Sequence, residues 1–167
     1  MRSAIDMRAR LFTNAWVAAA GALLSFACAA SMAAPSTFGP VIGSAVLCRS
    51  QLDNAYFYDY LSTAFGPSYK HEGGAYWFKA DGNLWGAAVI DVMVSDDTSD
   101  IIFLGAVTDS APDKLDEAIR AAVGVRHDAT DKSAFPVRES RPGSKIVYFK
   151  TKSKVFCAKY KPLPLLR

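Results

Sequence analysis

The sequence contains few of the residues and motifs by which enzymes and cofactor proteins are usually identified. Only two histidines, His71 and His127, and three cysteines occur in its 167 residues. It has no Gly-x-Ser-x-Gly nucleophile motif, no His-Glu-x-x-His zinc motif and no glycine-rich phosphate loop after a strand. We expect both histidines to be solvated loop residues. We expect no cofactor and no metal, and we favour a protein that is not an enzyme.

The composition excludes several structural classes. Hydrophobic residues make up 51% of the chain and charged residues 21%, and the formal net charge is only +3. These values exclude a disordered tail, a collagen-like repeat, a multi-pass membrane protein and a small scaffold held together by many disulfides. At this length one domain is the expected organisation.

Residues 1–33 have the three-part layout of a secretory signal peptide. The first ten residues hold three arginines and one aspartate, and an apolar stretch, 15–30, follows. Small residues come next, with Ser31 and Ala33 as the small pair before a cleavage site. We therefore predict a signal peptide over 1–33, cleavage after Ala33, and a periplasmic or secreted mature protein.

Two alternatives to a cleaved signal were weighed. An uncleaved anchor helix is disfavoured, because the apolar stretch is shorter than the ~20 residues of a membrane span and Pro35 interrupts its continuation. The mature chain is thus expected to have no transmembrane span. The second alternative is a lipoprotein anchored through Cys28. Residues 24–28 resemble a lipobox, but their large apolar residue lies one position too far from the cysteine.

The cysteines predict one disulfide. Cys28 leaves with the signal peptide, so Cys48 and Cys157 remain as a pair in an oxidising compartment. A bridge between them would close nearly the whole mature chain and requires Cα atoms within about 7 Å of each other. The alternative is a reactive thiol. It is disfavoured because neither cysteine has a Cys-x-x-Cys partner or a neighbouring histidine.

The mature chain is nearly neutral, but its two halves carry opposite charges. Residues 34–117 hold four basic and twelve acidic residues, net −8, and residues 118–167 hold twelve basic and three acidic residues, net +9. Such a division indicates either two oppositely charged faces, and so a charged partner, or two halves that interleave in one sheet. We favour interleaving. The near-zero total charge and the compartment argue against nucleic acid as a partner.

The N-terminal part of the mature chain predicts a leader and then a helix. Residues 34–46 are small, uncharged and interrupted by proline and glycine, which favours a flexible leader ahead of a domain over 47–161. A capping signal at 50–53 predicts the first helix over 51–65, with Gly66-Pro67 ending it.

The rest of the chain alternates strands, turns and a second helix. Asp81-Gly82-Asn83 predicts a hairpin turn, because glycine accepts the positive φ that such turns require. A capping signal at Ser110 begins a helix predicted to end near Val123. Pro136 predicts an edge strand, because proline has no N–H. The predicted strands cover 75–80, 84–94, 101–107, 135–138, 145–150 and 154–160.

The resulting element order is α-β-β-β-α-β-β-β. We predict an α+β fold with an antiparallel sheet of five or six strands and both helices on one face. The disulfide would then pin the start of the first helix to the last strand. Residues 162–167 are expected to form an irregular tail.

Aromatic residues are concentrated in one part of the chain. Half of the 20 aromatic residues lie between positions 56 and 85, and most of them must form core. Tyr58 lies away from the apolar stripe of the first helix, and Trp77 shares a strand face with Lys79. We predict a binding surface that includes Tyr58, Tyr69, Trp77 and Lys79, because exposed aromatic patches mark interaction sites.

Two functions follow from these features. The first is an exported, non-enzymatic domain that binds another envelope or secreted protein, as inhibitors, immunity proteins and accessory proteins do. The alternative is a small-ligand or glycan binder, or a hydrolase with a weak sequence signal. It would use an aromatic pocket between the first helix and the sheet, lined by Tyr60, Tyr76 and Trp85.

Overall fold

The computed structural model of the protein describes residues 33–161. The predicted signal peptide up to position 32, with Cys28, and the predicted tail over 162–167 lie outside the described residues. Within the described range, no helix is long and apolar enough to cross a membrane.

The fold is α+β, as predicted, and is built on one antiparallel sheet of eight strands. Five of the six predicted strands occur, and the sixth, predicted over 135–138, begins only at Arg138. Two additional strands of two and three residues, Lys70–His71 and His127–Ala129, extend the sheet at its edges. Elements this short carry no periodicity that a sequence can show. The strands are β1 Lys70–His71, β2 Ala75–Leu84, β3 Ala87–Ser95, β4 Ile101–Thr108, β5 His127–Ala129, β6 Arg138–Ser140, β7 Lys145–Phe149 and β8 Lys152–Tyr160.

Three α-helices are present among the described residues, and the two predicted ones are the longest. Helix α2, Asn54–Phe65, begins after Asp53, whose carboxylate accepts a hydrogen bond from the N–H of Tyr56, so the helix starts three residues later than predicted. Helix α3, Pro112–Val123, ends at Gly124 in the left-handed conformation. Leucine and isoleucine side chains of both helices belong to the same buried cluster, so both helices lie on one face of the sheet.

The predicted leader is instead a packed helical segment. A π-helical turn over Gly39–Gly43 continues into α1, Ser44–Val46. Phe38 and Ile42 are at most 2% exposed and belong to the main core. The small residues of this segment allow it to approach the sheet closely. The prediction of a flexible leader was wrong because it took proline and glycine as signs of flexibility.

Two four-stranded meanders, β1–β4 and β5–β8, form the sheet. The strand order is β1-β2-β3-β4-β8-β7-β6-β5, so the meanders meet only where their last strands, β4 and β8, pair over eight residues. The prediction that the acidic and basic halves of the chain interleave was therefore wrong. The acidic half forms one end of the sheet and the basic half forms the other.

Pro136 was predicted to mark an edge strand, but β6, the strand that it precedes, does not lie at the edge of the sheet. Strand β5 pairs outside β6, and the N–H of Thr130 donates to the carbonyl of Val137. The short β5 therefore covers the edge that the proline was expected to mark.

The disulfide between Cys48 and Cys157 is confirmed. Their Cα atoms lie 5.2 Å apart and the bridge spans 109 positions of the sequence. Cys48 lies two residues after the end of α1 and has a φ of 58°, and Cys157 lies fully buried in β8. The bridge thus ties the N-terminal segment to the centre of the sheet.

The predicted turn at Asp81-Gly82-Asn83 was wrong. These residues lie inside β2, next to an irregularity in the pairing with β3, and the chain reverses at Trp85-Gly86, where both φ values are positive. A Cβ on Gly82 would lie only 2.6 Å from the ring of Phe38. Gly82 is therefore required for the close packing of Phe38 on the strand.

Substitution of Gly82 by alanine is expected to lower the free energy of unfolding by about 1–3 kcal/mol, because the new methyl group displaces the buried ring of Phe38. Chemical denaturation measures the change. Gly39→Ala is the matched control: nothing lies within 4 Å of its Cβ position, so we expect an effect below about 0.5 kcal/mol. Equal effects of the two substitutions would contradict this explanation.

Candidate functional site

The sheet has one face that no helix within residues 33–161 covers, which we call the open face. Successive side chains of a strand point to opposite faces, and the helix-facing set forms the main core. The opposite set contains a second small cluster of Ala75, Met93 and Val107, against which three aromatic side chains pack. Strand β3 is apolar on both faces for this reason: one face contacts the helices and the other forms this cluster.

A cleft of about 520 Å³ crosses the open face. This volume lies within the range of small-molecule and side-chain binding sites, and the lining is mostly apolar with charged groups at a few positions. It extends from β1 and β2 across the sheet to β7. The lining residues are Lys70, Glu72, Gly73, Ala75, Trp77, Met93, Phe103, Val147, Lys154, Phe156 and Ala158.

The floor of the cleft is set by Gly105 in β4. It pairs with Met93 on one side and with Phe156 on the other. A Cβ on Gly105 would lie 2.7 Å from Cε of Met93 and 3.1 Å from Cβ of Phe156. The missing side chain leaves room for Met93 and Phe156 over the strand, and these two residues form the apolar floor of the cleft.

Lys154 is the most unusual charged residue of the cleft. Its Nζ lies 5.2 Å from the centroid of a Trp77 ring and 4.8 Å from that of Phe149. Burial lowers the pKa of Lys154, and the neighbouring charge of Lys70 lowers it further. Lys154 is half-buried and forms no salt bridge with any carboxylate of the described chain.

Three other lysines of the open face are paired with carboxylates. The shortest Nζ–O distances are 2.6 Å for Lys70–Glu72, 2.7 Å for Lys79–Asp91 and 3.6 Å for Lys145–Glu139. Lys70 also lies 5.2 Å from the centroid of a Trp77 ring. Lys154 and Lys70 therefore share an aromatic neighbour, but only the charge of Lys70 is neutralised nearby.

The structure brings three of the four predicted binding residues to the open face. Trp77 lines the cleft, and Tyr69 and Lys79 lie beside it. The Tyr69 hydroxyl donates to Asp91 over 3.1 Å, and burial together with this hydrogen bond raises the pKa of Tyr69. Asp91 also holds Lys79, whose hydrogen bond to that carboxylate raises the pKa of Lys79.

Tyr58, the fourth predicted residue, lies on the opposite face of the sheet. Its ring packs edge-on against Tyr76, 4.8 Å between centroids, and against Phe78, 5.5 Å. It belongs to α2, is half-buried between that helix and β2, and cannot form one surface with Trp77. We therefore leave Tyr58 out of the candidate site.

The aromatic pocket expected between the first helix and the sheet is filled by core side chains. Phe57 and Leu61 of α2 pack against Phe78 of β2, and all three are at most 3% exposed. Tyr60 and Trp85 line separate surface clefts. The helix-covered side of the sheet thus offers no shared cavity for these aromatic residues.

His127 is part of a buried Asp-His-Ser arrangement, so the prediction that it is a solvated loop residue was wrong. Its Nδ1 lies 3.1 Å from Oδ1 of Asp116, and its Nε2 lies 2.8 Å from Oγ of Ser144. The backbone N–H of His127 also donates to Asp116, over 2.8 Å. Sequence could not show this, because the three residues lie on α3, β5 and the turn before β7.

Asp116, His127 and Ser144 are connected in the same order as the residues of a hydrolytic Asp-His-Ser triad, but the serine is not accessible to a substrate. A nucleophilic serine must reach a substrate, whereas Ser144 is 0% exposed. Its Oγ also lies 2.7 Å from Oγ of Ser140 and its N–H donates to that atom. We interpret the group as a structural network that fastens α3 to β5 and to the β6–β7 turn.

The network predicts a pH dependence of stability. Burial lowers the pKa of His127 below its ordinary value of 6.5, although Asp116 opposes the shift. The unfolded chain then binds the proton more tightly, so this contribution to stability is complete above pH 6.5 and is lost as the pH falls through the pKa of the folded state. The melting temperature should therefore drop more between pH 7 and pH 5 in the wild type than in His127→Gln. Parallel profiles would refute the assignment.

Within residues 33–161, no three or more His, Cys, Asp or Glu side chains are grouped as metal ligands. His71 is exposed and lies 2.6 Å from Oδ2 of Asp96. The hydrogen bonds from Thr98 and His71 lower the pKa of Asp96 to about 2.

Comparisons with protein-family models, with curated proteins and with solved structures found no match to this chain.

Proposed function

We propose that the protein is an exported, non-enzymatic binding domain that holds another envelope or secreted protein against its open face. The observation that carries the proposal is the aromatic cleft on this face, which lies away from the main core. Large apolar side chains at the centre of a concave surface, with charged residues around them, are the usual composition of an interaction site.

The disulfide and the rigid sheet support the proposal. A surface formed by six neighbouring strands changes little on binding, so little conformational entropy is lost. The bridge between Cys48 and Cys157 is compatible with an oxidising compartment, as the predicted signal peptide requires. The domain would act by presenting a preformed surface, with no chemical step.

The proposal is tested by photo-crosslinking at two exposed tyrosines. Tyr160 is 79% exposed and, by strand alternation, lies on the open face with Phe156, whereas Tyr56 is 51% exposed on α2. A photoreactive phenylalanine analogue at position 160 should give a discrete protein adduct in the envelope of the living cell. The same analogue at position 56 should not.

Trp77→Ala should reduce the yield of the adduct from position 160, because it removes the largest side chain of the cleft. No adduct from position 160, or an adduct of equal yield from position 56, would contradict the proposal. The same photoreactive analogue replaces a tyrosine at both positions, so a difference in adduct yield is due to the location of the residue and not to the chemistry of the probe.

The cleft volume favours a second candidate, a small-ligand binder. About 520 Å³ is sufficient for a drug-sized molecule. This candidate predicts that a small molecule is extracted from the denatured protein and detected by mass spectrometry. The molecule should be absent from preparations of Trp77→Ala.

A further inference from the structure

The charges of the open face indicate what kind of protein segment would occupy the cleft. Lysines at three positions have carboxylate partners within 3.6 Å or less, and their charges are neutralised in place. Lys154 differs from them: it lies half-buried between two aromatic rings without such a partner among residues 33–161. A partner that brings a carboxylate to this position would complete the pairing.

The surroundings of Lys154 restrict the occupant further. Val147, Phe156 and Trp77 line the cleft beside its side chain, and Met93 forms part of the floor next to Gly105. Such a lining favours an aromatic or aliphatic group over a second charge, because burying an unpaired charge is costly. Desolvation of the ammonium group, which already lowers the pKa of Lys154, would be offset by a single anion.

We propose that the cleft binds a segment of the partner protein in which an apolar side chain lies next to an aspartate or glutamate. The apolar side chain packs against Trp77, Met93 and Phe156, which line the cleft, and the carboxylate pairs with Nζ of Lys154. This inference rests on the proposed function and deepens it, since it states the chemistry by which a protein partner is recognised.

Selection from a phage library of random linear heptapeptides tests the proposal on the purified, disulfide-bonded protein. Wild type should enrich peptides that contain Asp or Glu within two positions of an aromatic or aliphatic residue. An enriched peptide should lose affinity at least about tenfold when its acidic residue is replaced by the amide, which is the loss expected for one hydrogen bond to a charged group.

Lys154→Met should weaken binding of the acidic peptide by the same factor and leave the amide peptide unaffected. Lys154→Arg should restore most of the preference. Lys159→Met is the matched control, because it removes the same charge from the same strand but, by strand alternation, from the opposite face. It should bind the acidic peptide as the wild type does, and melting curves of all variants confirm that they fold.

Three results would overturn the proposal. The first is enrichment of peptides without acidic residues, or equal affinity of Lys154→Met for both peptides. The second is enrichment of no peptide, together with a dodecanoate-induced shift of the Trp77 indole NMR signal, which would assign the cleft to a small amphiphile. The third is a tenfold gain in peptide affinity on deletion of residues 162–167, which would identify the chain's own terminus as the occupant.

These failures are distinguishable from failure of the proposed function. If position 160 gives an adduct in the envelope but the selected peptides show no preference for acidic residues, the proposed function stands and the pairing of a carboxylate with Lys154 is rejected. If the selected peptides prefer acidic residues but no adduct forms, the proposed chemistry of the cleft stands and a protein partner in the envelope is rejected.

Discussion

Removal of the Cys48–Cys157 disulfide is expected to lower the free energy of unfolding by about 2–5 kcal/mol. The bridge spans 109 positions, and in the chain-entropy model closing a loop of about that length restricts the unfolded chain by about 4–5 kcal/mol. That value is an upper estimate, because denatured chains are already compact. Chemical denaturation with and without reductant measures the effect, which should also appear as a large drop in melting temperature.

The double variant C48A/C157A is the control for this experiment. Its melting temperature should equal that of the reduced wild type within a few degrees and should not respond to reductant. Identical melting of oxidised and reduced wild type would show that the bridge contributes nothing to stability. A response of the double variant to reductant would show that the reagent acts elsewhere.

Phe78→Ala is expected to destabilise the fold by about 3–5 kcal/mol, because Phe78 is fully buried between β2 and α2 and its truncation leaves a cavity. Trp77 is the next residue along the same strand but belongs to the open face and is only half-buried. Trp77→Ala should therefore cost about 1–2 kcal/mol in the same denaturation experiment.

Partner binding should show the opposite order. Trp77→Ala should reduce the yield of the adduct from position 160, whereas Phe78→Leu, a milder change that keeps the core apolar, should retain it. Comparable losses of stability from the two alanine substitutions would mean that both faces of β2 are core. In that case the open face would not be a free surface.

Local chemistry was sufficient to predict the elements whose signals lie within a few residues. Pro112 in the first turn and Gly124 after the last define α3, and runs of β-branched residues define β3 and β4. The pairing of Cys48 with Cys157 was predicted because they are the only two cysteines after the predicted signal peptide. The helix and the strands need no information from distant parts of the chain, and the disulfide needs only the number of cysteines.

Local chemistry failed where a distant residue decides the conformation. Gly82 has the sequence context of a hairpin turn but lies within a strand, because the ring of Phe38, more than forty positions away, occupies the space above it. His127 has the context of a solvated loop but is buried against Asp116 and Ser144. Both positions depend on contacts that form only when the chain is folded.

The sequence by itself determined the α+β class, the single disulfide and which side chains share a face of each strand, because these depend on alternation and residue type. Only the tertiary structure decided which face the helices cover and that β4 pairs with β8. That pairing separates the acidic half of the chain from the basic half and brings Trp77 and Lys154, which lie on different meanders, into one cleft. The physical reason is that strand order and helix placement are set by long-range packing, which local residue patterns do not encode.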